Sequence, residues 1–535
     1  MRPLTLVIWA AVLLTVPQMC ASSPDSIVDR SSMNLSSVPT DLPQTAEYLD
    51  LSCNHIHQIH KGDFKITTLL RFLNVSWNGL EKIDAETFLD TPHLEELDLS
   101  HNMLTNLSGQ QYLLHTGNLV MLNLAWNSFL NMTLGSEFSF LVKLVDFTLG
   151  AKTIHVGDFK SLATVKLHNF TLSLEEKLDY EAQSLMDIQA QWLHLDFNGG
   201  KLVHSDLIAD AFSLFVYVEV RNLTGGYSNL NKELGHLAEI HTSHFSLNNI
   251  VIDWKDVTQC INVALQTSIP HMSAFNVAIN NPPYRDTKVT KKSSMKSFTI
   301  KKGVVNSFFF SQESLYDFFI NMPVEHLTMW DTSFIHMTCP EKESPILELD
   351  FSNNALSDSI FSTVEGQETI ECQALNNVKK LILLDNNLKD LLLVSRRVQH
   401  MRSLKHLDVS LNSLFYDGQS ECLWPSNITI MNLSSAGLTD SVFNCLPKGI
   451  EMLDLQNNQV SVVQSSLLKL KKLSSLNLNA NRLQDLPVCD GFPRLNKLLL
   501  KSNSLHAPSL SRLESCPSLH LLDASHNPFT CTCSL

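Results

Sequence analysis

The sequence is short of glycine, of charge and of long apolar runs. With only 18 glycines in 535 residues, collagen-like and glycine-rich low-complexity chains are excluded. Lys and Arg number 39 against 54 Asp and Glu, a net charge of −15, so the chain has no general basic surface for nucleic-acid phosphates. Charged residues make up 17% and hydrophobic residues 44%, which excludes a disordered chain and supplies a core. Beyond the N-terminus no apolar run reaches the roughly 18 residues a membrane helix requires. No HExxH, GxSxG, GxGxxG or P-loop pattern occurs, so no catalytic constellation can be named, and no metal or cofactor is expected. Length alone predicts three or four domains at roughly 100–200 residues each.

The N-terminus reads as an address. Arg2 precedes the apolar run Leu6–Val16, which is too short to span a bilayer, and the small residues Ala21, Ser22 and Ser23 follow Cys20. Residues 1–22 are therefore expected to be a signal peptide. Eight Asn-x-Ser/Thr sequons agree with a secretory route: Asn34, Asn74, Asn106, Asn131, Asn169, Asn222, Asn427 and Asn432.

The organising feature is a repeat with the template LxxLxLxxNxL. It reads AEYLDLSCNHI from residue 46, then LRFLNVSWNGL, LEELDLSHNML and LVMLNLAWNSF, with Asn54, Asn78, Asn102 and Asn127 in register. After residue 345 it returns with Asn354, Asn386, Asn412, Asn458, Asn481, Asn503 and Asn527, and Ala436 stands in one slot. The LxL core predicts a short strand whose two leucines point inward and whose middle residue faces solvent. The Asn predicts an inward turn that satisfies main-chain groups of neighbouring repeats. One repeat cannot bury its apolar side alone, so the repeats stack. The fold class is therefore α/β: a leucine-rich-repeat solenoid, or horseshoe, with a parallel concave sheet and about twenty repeats. The expected segments are an N-terminal cap at 23–45, regular repeats at 46–150, an irregular centre at 151–345, regular repeats at 346–529, and the start of a cysteine cap at 530–535. In the centre the Asn slot falls on Lys152, Phe170, Leu223, Ile250, Gly303 and Thr332, with Asn198 and Asn280 retained. Two readings of this stay open: drift in a tolerant scaffold, or a loosened ladder that lets the convex side open into a pocket.

The stretches 336–354 (HMTCPEKESPILELDFSNN), 420–424 (SECLW) and 445–458 (CLPKGIEMLDLQNN) resemble the Toll-like receptors. Within that family the likeness is to the lipopeptide-sensing types one, two, six and ten, and most of all to types one and six. The differences across residues 150–300 fit a divergent, fish-like member. The resemblance implies an innate immune receptor ectodomain that binds acylated microbial ligands. It also implies pairing with a second Toll-like receptor, type two or another copy, and signalling through a TIR domain that this chain does not contain. The location implied is the extracellular side of the plasma membrane for a full-length parent, or secretion if the short form is natural. The rival from another class is a secreted matrix or adhesion repeat protein that binds another protein on its concave face.

Several sites follow. In the segment 304–334, Phe308, Phe309 and Phe310 precede Ser311, a helix N-cap residue type, and Leu315, Phe318, Phe319 and Met322 define one helical face. This face is either core or, as the resemblance implies, the mouth of an acyl-chain pocket and dimer contact between the eleventh and twelfth repeats. The three consecutive phenylalanines stand where they can plug such a channel against a second acyl chain in this subunit. Lys291, Lys292, Lys296, Lys301 and Lys302 belong to a basic run beside it, which is either a solvated loop face or a collar for an anionic group. Cys339 with Cys372 and Cys422 with Cys445 resemble disulfide pairs of the family. Cys53, Cys260, Cys489 and Cys516 are expected as buried thiols. The clustered His55, His57 and His60 are expected as surface residues. Asn74 and Asn432 fall between the inward strand positions, so sugars there would obstruct a concave protein site and favour a lateral or convex one.

Overall fold

The computed structural model describes residues 26–529 apart from 130, 202, 238, 283–287, 291–292, 307–311, 333, 341, 363–371, 464–469, 490–491 and 507–514. The expected signal peptide, Lys291, Lys292, Phe308, Phe309, Phe310, Ser311, Cys531 and Cys533 lie outside the described residues. The chain divides into two compact units, Met1–Asn222 and Leu223–Leu535.

Each unit is a stack of parallel strands joined by loops and short helices, a leucine-rich-repeat solenoid. In the first unit the first inward residue of each strand pairs with its counterpart one repeat on: Val28, Leu49, Leu73, Leu97, Leu122, Phe147, Phe170, Leu193 and Val218. In the second unit the same row begins Phe245, Met272, Phe298, Leu327, Leu349 and Leu381 and ends at Leu498 and Leu522. Most of these side chains are buried, so the apolar content is spread along a line rather than gathered into three or four globules.

The asparagine slot works as the spacing predicts. Asn102 donates from Nδ2 to the carbonyls of Val75 at 2.9 Å and Leu99 at 3.1 Å, and its Oδ1 accepts from the Leu80 N–H at 3.0 Å. Asn54, Asn78, Asn412, Asn458 and Asn481 repeat the pattern. One side chain thus satisfies three buried backbone groups of two successive turns. At Ala436 the backbone supplies the missing acceptor, because the Leu414 N–H donates to the Ala436 carbonyl at 2.9 Å.

Two central slots sit elsewhere than the sequence reading put them. Phe170 pairs with Phe147 in the first inward row, which moves the slot to Glu175. Ile250 pairs with Val277, so Val277 and not Asn280 takes the slot there. The loss of Asn has a local consequence. Strands such as Tyr48–Asp50 last 3 residues before the Asn turns the chain, whereas Lys166–Tyr180 runs for 15 and His244–Asp253 and His271–Asn280 for 10 each. With no side chain to capture the backbone groups at the bend, the strands go on pairing with each other.

Disulfides join Cys339 to Cys372 and Cys422 to Cys445, the pairs the family resemblance implies. A third joins Cys489 to Cys516, which corrects the expectation of buried thiols there. Cys53 is exposed rather than buried, and Cys260 is buried as expected.

Candidate ligand-binding site

The second unit carries extra helices opposite its sheet at the irregular repeats. Helix Trp254–Gln266 follows directly on the strand His244–Asp253, with Asp256 in its first turn where the helix dipole favours a carboxylate. It buries Trp254, Val257, Cys260, Ile261, Ala264 and Leu265 on one face. Helix Gln312–Ile320 is the one anticipated from the Leu315, Phe318, Phe319 spacing. All four candidate pocket residues described, Leu315, Phe318, Phe319 and Met322, are at most 1% exposed.

These helices enclose an aromatic layer. The Phe319 ring lies 5.9 Å from Trp254, 5.8 Å from Phe298, 5.5 Å from Phe318 and 6.3 Å from Phe334, centroid to centroid. Tyr316 packs edge-on to Phe334 at 4.6 Å, and its hydroxyl accepts from the Ile335 N–H at 3.1 Å. The empty asparagine slots make room for this layer. Leu223, Ile250 and Val277 fill them with apolar side chains. At Gly303 a Cβ would meet Ile300 Cδ1 at 3.2 Å and Thr332 Cγ2 at 3.4 Å, so neighbouring side chains already use that space. Burial pushes the Cys260 thiol up to about 12, which keeps it protonated and unreactive. The layer holds no carboxylate or amine aimed inward among the residues named here, and its chemistry is that of an apolar solvent.

Sequence reasoning missed Trp254, Phe298, Tyr316 and Phe334. Trp254, Val257, Ile261, Ala264 and Leu265 carry the helical spacing that would have found the first, and Phe298 stands five residues before the Gly303 slot. The described lysines do not converge. Lys296 and Lys301 are exposed and five residues apart on extended chain, about 16 Å, and Lys302 adopts a left-handed conformation at φ 56°. His55, His57 and His60 are exposed. Among the described residues no group of three or more His, Cys, Asp or Glu has metal-binding geometry.

Polar features occupy the opposite, sheet face. In the second unit His326, Thr328, Glu348, Asp350 and Lys380 line a shallow depression, with His326 Nδ1 3.5 Å from Glu348 Oε2. In the first unit the buried His194 meets Glu219 Oε2 at 2.8 Å, and Arg221 pairs with the same carboxylate. Burial lowers the His194 pKa, and the bond to Glu219 works against that shift.

The sequons divide by exposure. Asn34, Asn106, Asn131 and Asn427 are exposed, Asn169, Asn222 and Asn432 half-buried, and Asn74 buried.

The profile for the leucine rich repeat matches residues 69–129. Toll-like receptor 1 of Homo sapiens is 32% identical over 98% of this chain and 66% of its own length. Toll-like receptor 6 of Bos taurus is 34% identical over 99% of this chain and 66% of its own. This chain belongs to the Toll-like receptor family. Toll-like receptor 10 of Bos taurus is 32% identical over 94% of the chain, whereas Toll-like receptor 2 type-2 of Gallus gallus is 27% identical, so the chain fits the branch of types 1, 6 and 10. A solved structure described as "Crystal structure of TLR13-ssRNA13 complex" aligns with a TM-score of 0.41 at 15% identity, over 94% of this chain and 67% of that one. The chain spans 61–66% of the length of the first three of these receptors. These relatives are receptors, and the chain is not an enzyme. No helix among the described residues is long and apolar enough to cross a membrane.

Proposed function

We propose that this chain is the ligand-sensing repeat region of an innate immune receptor on the extracellular side of the membrane. It takes the acyl portion of a microbial ligand into the aromatic layer between helices Trp254–Gln266 and Gln312–Ile320 and the strands beneath them. The ligand then bridges the chain to a second Toll-like receptor, type two in character. The observation that carries this reading is the layer itself: apolar slots and aromatic walls replace the asparagine ladder, and outer helices cover them. An acyl chain gains about 0.8 kcal/mol per methylene buried, so an apolar layer that can part supplies affinity without polar contacts. Phe318 and Phe319 are its inner wall and Leu315 and Met322 its ends. Lys296, Lys301 and Lys302, with Lys291 and Lys292, meet an anionic head group outside it singly rather than as a converging collar. A second reading, a protein partner seated on the sheet face, draws support from the depression lined by His326, Glu348 and Lys380.

A photoreactive palmitoyl lipopeptide tests the first reading without disturbing the fold. Saturable cross-links are expected in the peptides spanning 254–266 or 312–322, competed by unlabelled lipopeptide. Labelling confined to the sheet face, or no saturable labelling, would overturn it.

A further inference from the structure

Two sequons, Asn74 and Asn432, occupy the same place in the repeat. Each ends a strand and lies in the outward row between the two inward residues. Around each of them Asp and Asn alternate over four strands: Asp50, Asn74, Asp98 and Asn123 in the first unit, where Asp29 precedes Asp50, and Asp408, Asn432, Asp454 and Asn477 in the second. The alternation has a physical cause. Carboxylates on adjacent parallel strands would repel, whereas a carboxamide between them can donate to its neighbour.

The bonds are made. Asn74 Nδ2 donates to Asp50 Oδ2 at 3.3 Å and Asn432 Nδ2 to Asp408 Oδ2 at 2.9 Å. Asn432 Nδ2 also donates to Ser410 Oγ at 3.3 Å, which engages both of its hydrogens. The other carboxamide atom is committed as well. Asn74 Oδ1 accepts from the Ser76 N–H and Asn432 Oδ1 from the Ser434 N–H, both at 3.0 Å, as Asp98 Oδ1 accepts from Ser100 at 2.8 Å.

Asn123 and Asn477 are decisive, because neither begins a sequon. Asn123 donates to Asp98 Oδ2 at 3.1 Å and Asn477 to Asp454 Oδ2 at 2.9 Å. Their Oδ1 atoms accept from Ala125 and Asn479, both at 3.1 Å. Asn fills the place between two Asp strands, or beside one, and makes the same bonds whether or not a hydroxyl residue follows two places on. At Asn74 and Asn432 the sequon is therefore a by-product of a strand-end turn in which Ser happens to follow.

We infer that Asn74 and Asn432 are unglycosylated ladder residues and that N-linked sugars sit instead on the exposed Asn34, Asn106, Asn131 and Asn427. At Asn432 a sugar on Nδ2 would replace a hydrogen the ladder uses, and at Asn74, only 7% exposed, burial leaves it no room. Because the transfer precedes folding, the inference concerns the chains that fold and leave the cell. Its consequence reverses the expectation from sequence: sugars at these two positions do not obstruct the sheet face of either unit.

The test is peptide mass spectrometry of the secreted full chain after enzymatic deglycosylation in heavy-oxygen water, which marks each occupied Asn. Marks are expected at Asn34, Asn106, Asn131 and Asn427, with less than a tenth occupancy at Asn74 and Asn432. Ser76→Ala and Ser434→Ala, which abolish these sequons while keeping the ladder Asn, are expected to leave the glycoprotein mass unchanged. Substantial occupancy at Asn74 or Asn432, or empty sites at the four exposed sequons, overturns the inference.

Discussion

Phe319→Ala removes the ring at the centre of the aromatic layer. Phe319 is 1% exposed and touches four aromatic rings, those of Trp254, Phe298, Phe318 and Phe334, within 6.3 Å. Truncating a buried Phe to Ala costs about 3–5 kcal/mol, the upper part arising where neighbours cannot collapse into the gap. Here collapse is restrained, because the strands on one side are held by their ladder and Tyr316 is tied to Ile335. Repeat proteins can lose stability locally, so hydrogen exchange is the assay of choice. Amides of helix Gln312–Ile320 and strand Ser297–Val305 are expected to exchange on the order of 10²–10³ times faster in the variant. Phe319→Leu, which keeps most of the volume, is expected to cost about 1 kcal/mol and to change exchange less than tenfold. An Ala variant whose exchange rises less than threefold would refute the reasoning. It would mean that the layer is already loose in the free protein, and that Phe319 lines a standing cavity rather than a closed one.

Three further outcomes follow from the ladder, the bridges and a half-buried carboxyl group. Asn102→Ala strands the Leu80 N–H and the Val75 and Leu99 carbonyls, at about 2–4 kcal/mol, read from the urea midpoint; a shift below 0.5 kcal/mol would contradict the role assigned to the slot. Non-reducing peptide mapping is expected to recover Cys489 linked to Cys516, and the double Ser variant is expected to lose about 3–4 kcal/mol from the loop of 27 residues it reopens; free thiols at both positions would contradict the bridge. Burial, with Glu95 and Asp146 nearby, pushes Glu96 up to about 7 from the usual 4.5. The folded chain then holds a proton that the unfolded chain has released across that window, so stability falls as pH rises from about 4.5 through 7. Glu96→Gln is expected to raise the melting temperature at pH 8 and leave it unchanged at pH 4; an equal shift at both would refute the assignment.

The regular repeats were legible because two independent demands act on the same eleven residues. Inward leucines must alternate with solvent-facing residues, and an Asn must close the turn. Where the Asn is gone, nothing marks the end of the strand, so the slot was misplaced at Phe170 and Asn280, and the strand register with it. The helix face of Leu315, Phe318 and Phe319 was legible from its period. Its depth was not, because burial against Trp254 and Phe298 depends on stacking partners distant in sequence. The Cys489–Cys516 bridge was hidden for the same reason: its cysteines meet only when consecutive repeats stack. Asn74 and Asn432 were placed correctly between the inward positions, but their carboxylate partners lie a full repeat away.

The most direct test of the central claim is titration of the purified chain with di- and triacylated lipopeptides of graded chain length, alone and with a type-two Toll-like receptor. Saturable binding that weakens about fourfold for each methylene removed is expected, with a heterodimer formed only when lipopeptide is present. No binding and no dimer in either setting, or binding indifferent to acyl length, would contradict it.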